Sequence, residues 1–81
     1  MEMFEVVARN CKVNPKIKYS RKDLTKASAL FVATNLERGF RQVDVLNQDT
    51  GEVMRSFYMS DEFFRPSLTE YQAMEMVDSM F

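Results

Sequence analysis

The chain has 81 residues, among them no histidine and no tryptophan, one cysteine, two glycines and two prolines. A cysteine nucleophile normally needs a histidine base, and zinc sites need several cysteines or histidines, so neither is expected. The lone Cys11 cannot form an internal disulfide, which predicts a reducing, cytoplasmic location. So few glycines and prolines also argue against long irregular loops and low-complexity segments.

Long hydrophobic runs are missing as well. The longest uninterrupted apolar run covers residues 29–33, far short of a membrane span, and residues 1–5 lack the features of a signal peptide. Hydrophobic residues make up 46% of the chain and charged residues 28%, as is typical of a folded globular domain. We therefore expect one small domain over residues 1–81, with no membrane contact.

Charge is unevenly distributed, although the net charge is only -1. Residues 1–26 carry seven basic and three acidic side chains, whereas residues 61–81 carry five acidic side chains and one basic one. Such a bipolar chain is suited to orient a charged partner and to raise its association rate.

The pattern of apolar residues and turn formers predicts an α+β domain in the order ββαββα. Short strands are expected over residues 3–8 and 16–19, the second at an exposed sheet edge. Two β-prone runs flank a polar turn ending in Gly51, which predicts a central β-hairpin over residues 40–60 with a positive φ at that glycine. Both hairpin faces carry apolar residues, which predicts either a cover for each face or a β-bulge.

Two helices are predicted to pack on this hairpin. The first covers residues 20–38, with Ser20 as N-cap and Gly39 following its end, and its broad apolar face predicts cover from more than one side. The second covers residues 67–80, because Ser67 and Glu70 fit a capping box and an apolar stripe follows. The order of the strands in the sheet stays open.

No catalytic motif is expected. Asp-Thr-Gly at 49–51 resembles the catalytic loop of retroviral-type aspartic proteases, but Glu52 follows where that family has a small residue. A turn explains these residues, and solvation or capping explains the carboxylates at 61, 62 and 70. We therefore predict no enzyme, no metal and no cofactor.

The methionines indicate a surface for a protein partner. Five of the seven lie from Met54 onward, and methionine serves both in irregular cores and on adaptable binding surfaces. The predicted partner-binding residues are Met54, Tyr58, Met76 and Met80, with the acidic Asp61 and Glu62.

A nucleic-acid interface is the alternative. The basic stretch 9–26 combines cations with an aromatic residue, a pattern that tracks a phosphate backbone and stacks a base. The sequence pI of about 5.4 is low for such a protein, and a solvated edge strand and helix start explain the stretch better. The residues of this alternative are Arg9, Lys12, Lys16, Lys18, Tyr19, Arg21, Lys22 and Lys26.

Residues 43–53, Val-Asp-Val-Leu-Asn-Gln-Asp-Thr-Gly-Glu-Val, resemble the hairpin of small accessory proteins encoded by bacteriophages and mobile elements. This resemblance implies a stand-alone protein that binds a host protein, as anti-CRISPR inhibitors of bacterial defence nucleases do. The sequence prediction is thus a cytoplasmic, non-catalytic protein-binding module, a small regulator or inhibitor of a host protein. A homodimer that buries the apolar hairpin face is a further possibility.

Overall fold

The computed structural model describes residues 2–10, 17–60 and 62–81. Its elements confirm the predicted α+β class and the ββαββα order. They are β1 (Phe4–Arg9), β2 (Ile17–Leu24), α1 (Lys26–Leu36), β3 (Gln42–Asn47), β4 (Val53–Tyr58) and α2 (Glu70–Asp78). Neither helix has the length and apolar character needed to cross a bilayer within these described ranges.

The four strands form one antiparallel sheet in the order β2-β1-β3-β4. The centre of the sheet is therefore the β1–β3 pair, and the predicted central hairpin supplies one central strand and one edge strand. The second strand lies at an edge, as predicted. The β3–β4 pairing has a register shift between Val45 and Leu46, which favours the bulge among the two alternatives predicted for this hairpin.

The hairpin turn is built from local hydrogen bonds, as its sequence predicts. The Asn47 side-chain oxygen accepts from the backbone N–H groups of Asp49 and Thr50, at 2.9 and 3.1 Å. Gly51 donates its N–H to the Asn47 carbonyl at 2.8 Å and has a φ of +76°, which confirms its predicted role. A residue with a Cβ is strained at that φ.

Both helices pack on one face of the sheet, and the core lies between. On that face, Val6 pairs with Val45 at the centre of the sheet, and both are fully buried. On the opposite face, Val7 pairs with Asp44, and these two are buried as well. The core cluster comprises Phe4, Val6, Ala8, Leu24, Ala29, Val32, Ala33, Leu36, Phe40, Val43, Val45, Ala73 and Val77.

The prediction that α1 begins at Ser20 is wrong. Ser20 lies in β2, where it pairs with Val7, and the strand continues to Leu24. The helix begins after Thr25, whose side-chain oxygen accepts from the Ser28 N–H at 3.2 Å. The Ser20 side chain is able to cap a helix, but its backbone pairs with the neighbouring strand β1 instead.

The start of α2 also differs from the prediction. Thr69 is the N-cap and forms a capping box with Gln72, so the helix begins two residues later than the Ser67 box predicts. The sequence contains two overlapping capping patterns. The downstream one is used because the N–H groups of Ser67 and Leu68 donate to the Arg38 carbonyl at the end of α1.

Gly39 is required for a different reason from the predicted one. A Cβ at this position would lie 2.8 Å from the Thr69 carbonyl oxygen and 2.9 Å from the Ala73 Cβ, so the glycine permits close approach of α2. We expect Gly39→Ala to lower the free energy of unfolding by about 1–3 kcal/mol, since backbone on one side cannot yield. Urea denaturation followed by circular dichroism measures the change.

Gly51→Asn is the matched control, because a Cβ there meets open space and asparagine tolerates a positive φ. The strain at this φ should cost at most about 1 kcal/mol, because asparagine is among the residues that adopt a positive φ. Equal destabilisation by the two substitutions would contradict a packing role for Gly39.

Candidate functional site

Helix α1 packs against both the sheet and α2, and its outer side is exposed. Ala29, Val32, Ala33 and Leu36 are buried against the sheet and α2, whereas Phe31 projects outward and is 60% exposed. The contacts with the sheet and with α2 confirm the prediction that the broad apolar face is covered from more than one side, but the described part of the chain does not cover Phe31. An exposed phenylalanine on such a helix is therefore a candidate contact for another molecule.

Phe31 lines an apolar groove at the end of the helix layer. The two helices run antiparallel, because the residues after α1 contact the start of α2 at Thr69. The residues that follow α2 consequently return to the N-terminal half of α1. The groove has a volume of about 350 Å³ and is lined by Ala27, Ser28, Phe31, Met80 and Phe81.

The outer side of α2 carries a second exposed surface. The apolar stripe predicted for this helix is only partly buried. The fully buried residues of α2 are Ala73 and Val77. Tyr71 is instead exposed and lines a second shallow depression of about 300 Å³. The other residues lining this depression are Met74, Glu75 and Asp78.

A polar cluster holds the end of α2 against β2. Asp78 accepts hydrogen bonds from the Tyr19 hydroxyl at 2.5 Å and from the Arg21 guanidinium at 3.1 Å. The same guanidinium lies 4.1 Å from the centroid of the Phe81 ring, a cation–π contact. Burial, together with the hydrogen bond to Asp78, raises the pKa of the Tyr19 hydroxyl. These contacts fix the position of Phe81, and with it one wall of the groove.

A second cation on the helix side connects α1 to β4. The Arg55 guanidinium lies 3.1 and 3.0 Å from the two carboxylate oxygens of Glu37. Burial raises the pKa of the Glu37 carboxyl, and the positive charge of Arg55 opposes this effect. This ion pair holds the Arg55 side chain, the one charged side chain of β4, toward the end of α1.

On the opposite face of the sheet, the buried Asp44 is the centre of a hydrogen-bond network. Its carboxylate accepts from Arg9 at 3.1 Å, from Ser56 at 2.6 Å and from Gln42 at 3.5 Å. These residues come from β1, β3 and β4, so the network joins three strands. A carboxylate with such partners is explained as a structural contact. No group of three or more potential metal ligands occurs among the described residues.

The predicted partner-binding residues do not form one patch. Met80 lines the groove, and Met76 is half-buried, with its sulfur 3.7 Å from the Arg38 guanidinium. Tyr58 lies on edge strand β4 and on the sheet face opposite the helices, because Phe57 pairs with the core residue Val43. Met54 also lies on β4, Glu62 is exposed, and Asp61 lies outside the described residues.

Several residues of the alternative nucleic-acid interface are engaged within the chain. Arg9 bonds Asp44, while Tyr19 and Arg21 bond Asp78. Lys22 and Lys26 are exposed. Lys12, Lys16 and the side chain of Lys18 lie outside the described residues.

Sequence reasoning did not select Phe31 and Phe81 as site residues. Both belong to the apolar pattern of the predicted helices. Periodicity alone does not show which residues of a wide apolar face are exposed to solvent. The only available signal was the breadth of α1 itself. Which residues of this wide apolar face are buried depends on the position of α2 and of the residues that follow it.

The cluster at the end of α2 generates a pH-dependent prediction. Tyr19→Phe removes the hydrogen bond to Asp78 and should lower the free energy of unfolding by roughly 1 kcal/mol at neutral pH. Since the folded state raises the Tyr19 pKa, this stabilisation is complete below the ordinary value of about 10 and is lost as pH rises through the folded-state pKa.

Urea denaturation of the wild type and Tyr19→Phe, at neutral pH and above pH ~10, measures this effect. Tyr71→Phe is the matched control on α2, because that ring is largely exposed. A stability difference between wild type and Tyr19→Phe that does not change with pH would contradict the assignment.

The groove and the polar cluster around Asp78 together form one candidate binding surface. Phe31, Met80 and Phe81 offer apolar contact area, and the cluster around Asp78 holds that area in place. Large aromatic side chains on a rigid support are typical of protein-binding surfaces. No protein-family model, curated protein sequence or solved structure matches the chain.

Proposed function

We propose that the protein is a non-catalytic binding module that contacts a host protein through the groove between α1 and the residues following α2. The observation that carries this proposal is the 60% exposure of Phe31, next to Met80 and Phe81. Exposed aromatic residues around a concave apolar surface provide the buried centre of a protein interface. The surrounding polar residues then form its rim.

The charge on the outer side of α2 indicates the chemistry of the partner. Glu75 is exposed and lies with Tyr71 and Met74 on the outer side of α2. A partner segment that presents an apolar side chain to the groove and a basic residue to Glu75 complements this surface. The apolar contact supplies affinity, and the charge raises the association rate and sets the orientation.

The resemblance of residues 43–53 to hairpins of phage and mobile-element proteins supports a regulator or inhibitor of a bacterial host protein. Under this proposal the target is a bacterial protein, with defence nucleases as one class to test. The lone cysteine supports a cytoplasmic site of action.

The chain offers a well-matched pair of variants to test this function. Phe31 is 60% exposed and lines the groove, whereas Phe63 is 64% exposed and is not one of the groove residues. We expect Phe31→Ser to weaken binding to a captured host protein at least tenfold, or about 1.4 kcal/mol, since it removes a central anchor. Phe63→Ser should leave the affinity within threefold.

Capture from bacterial lysate on the immobilised wild-type chain identifies the ligand, and calorimetry with the purified ligand gives the three dissociation constants. Both variants replace an exposed side chain, so their unfolding curves should match that of the wild type. Capture of the same proteins at equal affinity by wild type and Phe31→Ser would overturn the groove as the binding site.

A further inference from the structure

A second concave site lies at the end of the sheet near the hairpin turn. It is a cavity of about 180 Å³ that is open to solvent, and it shares no lining residue with the groove between the helices. Four parts of the chain meet there, namely the start of β1, the first residue of α1, the hairpin turn and β4. The lining residues are Glu2, Phe4, Lys26, Asn47, Glu52 and Met54.

The bulge of the hairpin accounts for the position of Met54. Val45 pairs with Arg55 and Leu46 pairs with Val53, so Met54 is the additional residue of β4. An additional residue in one strand redirects the side chains next to it. Met54 consequently lines the same cavity as Phe4, which belongs to the core on the helix side of the sheet. A thioether and an aromatic ring form an apolar surface that suits an aliphatic group.

Asn47 contributes a hydrogen-bond donor with a fixed orientation. Its side-chain oxygen accepts from the backbone N–H groups of Asp49 and Thr50, at 2.9 and 3.1 Å. These two bonds hold the carboxamide, so its NH₂ group is the end that is left for another partner. Within the described ranges no contact uses this NH₂ group, which leaves it available to an oxygen atom of a ligand.

Three exposed side chains bring charges of both signs to the cavity. Glu2 and Glu52 carry carboxylates, and Lys26 carries an ammonium group. In the part of the chain that the structure describes, no ion pair joins Lys26 to either carboxylate. A ligand that is only a cation would face Lys26, and a ligand that is only an anion would face two carboxylates. The complementary ligand therefore carries both charges.

We propose that this cavity binds a free α-amino acid with an aliphatic side chain. The carboxylate of the ligand accepts from the Lys26 ammonium and from the Asn47 NH₂ group, and its ammonium donates to Glu2 and Glu52. The side chain of the ligand contacts Phe4 and Met54. This site goes beyond the proposed function, because it uses none of the groove residues.

The size of the cavity limits both the ligand and its affinity. A volume of about 180 Å³ corresponds to roughly six water molecules at about 30 Å³ each, so the ligand is small. Hydrogen bonds between charged groups are stronger than neutral ones, but the charged side chains here remain accessible to water. We therefore expect a dissociation constant of about 1 mM or below.

Titration with L-leucine, L-valine and L-methionine, followed by nuclear magnetic resonance, tests the site. The expected result is a saturable shift of the Asn47 side-chain NH₂ signals. Isocaproate lacks the ammonium of leucine and isoamylamine lacks its carboxylate, so each should bind at least tenfold more weakly than leucine. The proposal is overturned if none of the three amino acids gives a saturable shift at roughly 10 mM, or if either analogue binds as well as leucine.

Single variants test the two charges separately. Lys26→Gln removes a partner of the ligand carboxylate, and Glu52→Gln removes a partner of the ligand ammonium. Each should weaken leucine binding at least fivefold. Lys22→Gln is the matched control, because Lys22 is exposed and does not line the cavity, and its affinity should stay within twofold of the wild type. All three substitutions are at exposed positions, so the unfolding curves should match. Equal affinities of Lys26→Gln and Lys22→Gln would contradict the site.

Phe31→Ser separates this inference from the proposed function. Phe31 does not line the cavity, so this variant should bind leucine like the wild type whether or not it binds a host protein. Loss of leucine binding in Phe31→Ser, with normal binding in Lys26→Gln, would place the amino acid in the groove and refute the cavity as its site. Failure of host-protein binding alone does not change the leucine titration.

Discussion

The pairing of β1 with β3 is the constraint on which the rest of the structure depends. Six consecutive residue pairs join Phe4–Arg9 to Gln42–Asn47 without a register shift. This pairing places Val6 and Val45 on the helix side, and Val7 and Asp44 on the other. A shift of one residue would exchange these faces, burying a carboxylate under the helices and exposing the valines of the core. Both edge strands and both helices are positioned by this central ladder.

The candidate surfaces follow from how two short helices cover four strands. The helices bury small residues, such as Ala29, Ala33 and Ala73, and therefore approach the sheet and each other closely. Larger side chains, including Phe31, Tyr71 and Phe81, are left on the outer side. The close approach that gives the core its packing thus also gives the protein an aromatic outer surface. The orientation of the helices therefore determines both which residues form the core and which residues form the candidate site.

Features set by neighbouring residues were predictable from the sequence, and those set by distant residues were not. The turn around Asn47 and Gly51 depends on local bonds, and so do the class and order of the elements. The start of α1 was mispredicted because β1 takes Ser20 into a ladder, and the start of α2 because the Arg38 carbonyl binds the residues before Thr69. The exposure of Phe31 likewise depends on the position of α2. Each of these outcomes depends on a contact between residues that are distant in the sequence, and a local sequence pattern does not predict such a contact.

The unequal edges of the sheet have a consequence for the kind of assembly that this chain can form. A sheet that accepts strands at both edges grows without limit, as amyloid fibres do. Here β4, at one edge, pairs regularly with β3 from Arg55 to Tyr58, while β2, at the other edge, is interrupted by register shifts and by the positive φ at Asp23. Pairing through β4 alone would close after one step, with a β2 strand at each end. The irregularity of β2 would therefore hold the chain to a finite particle and away from fibre formation.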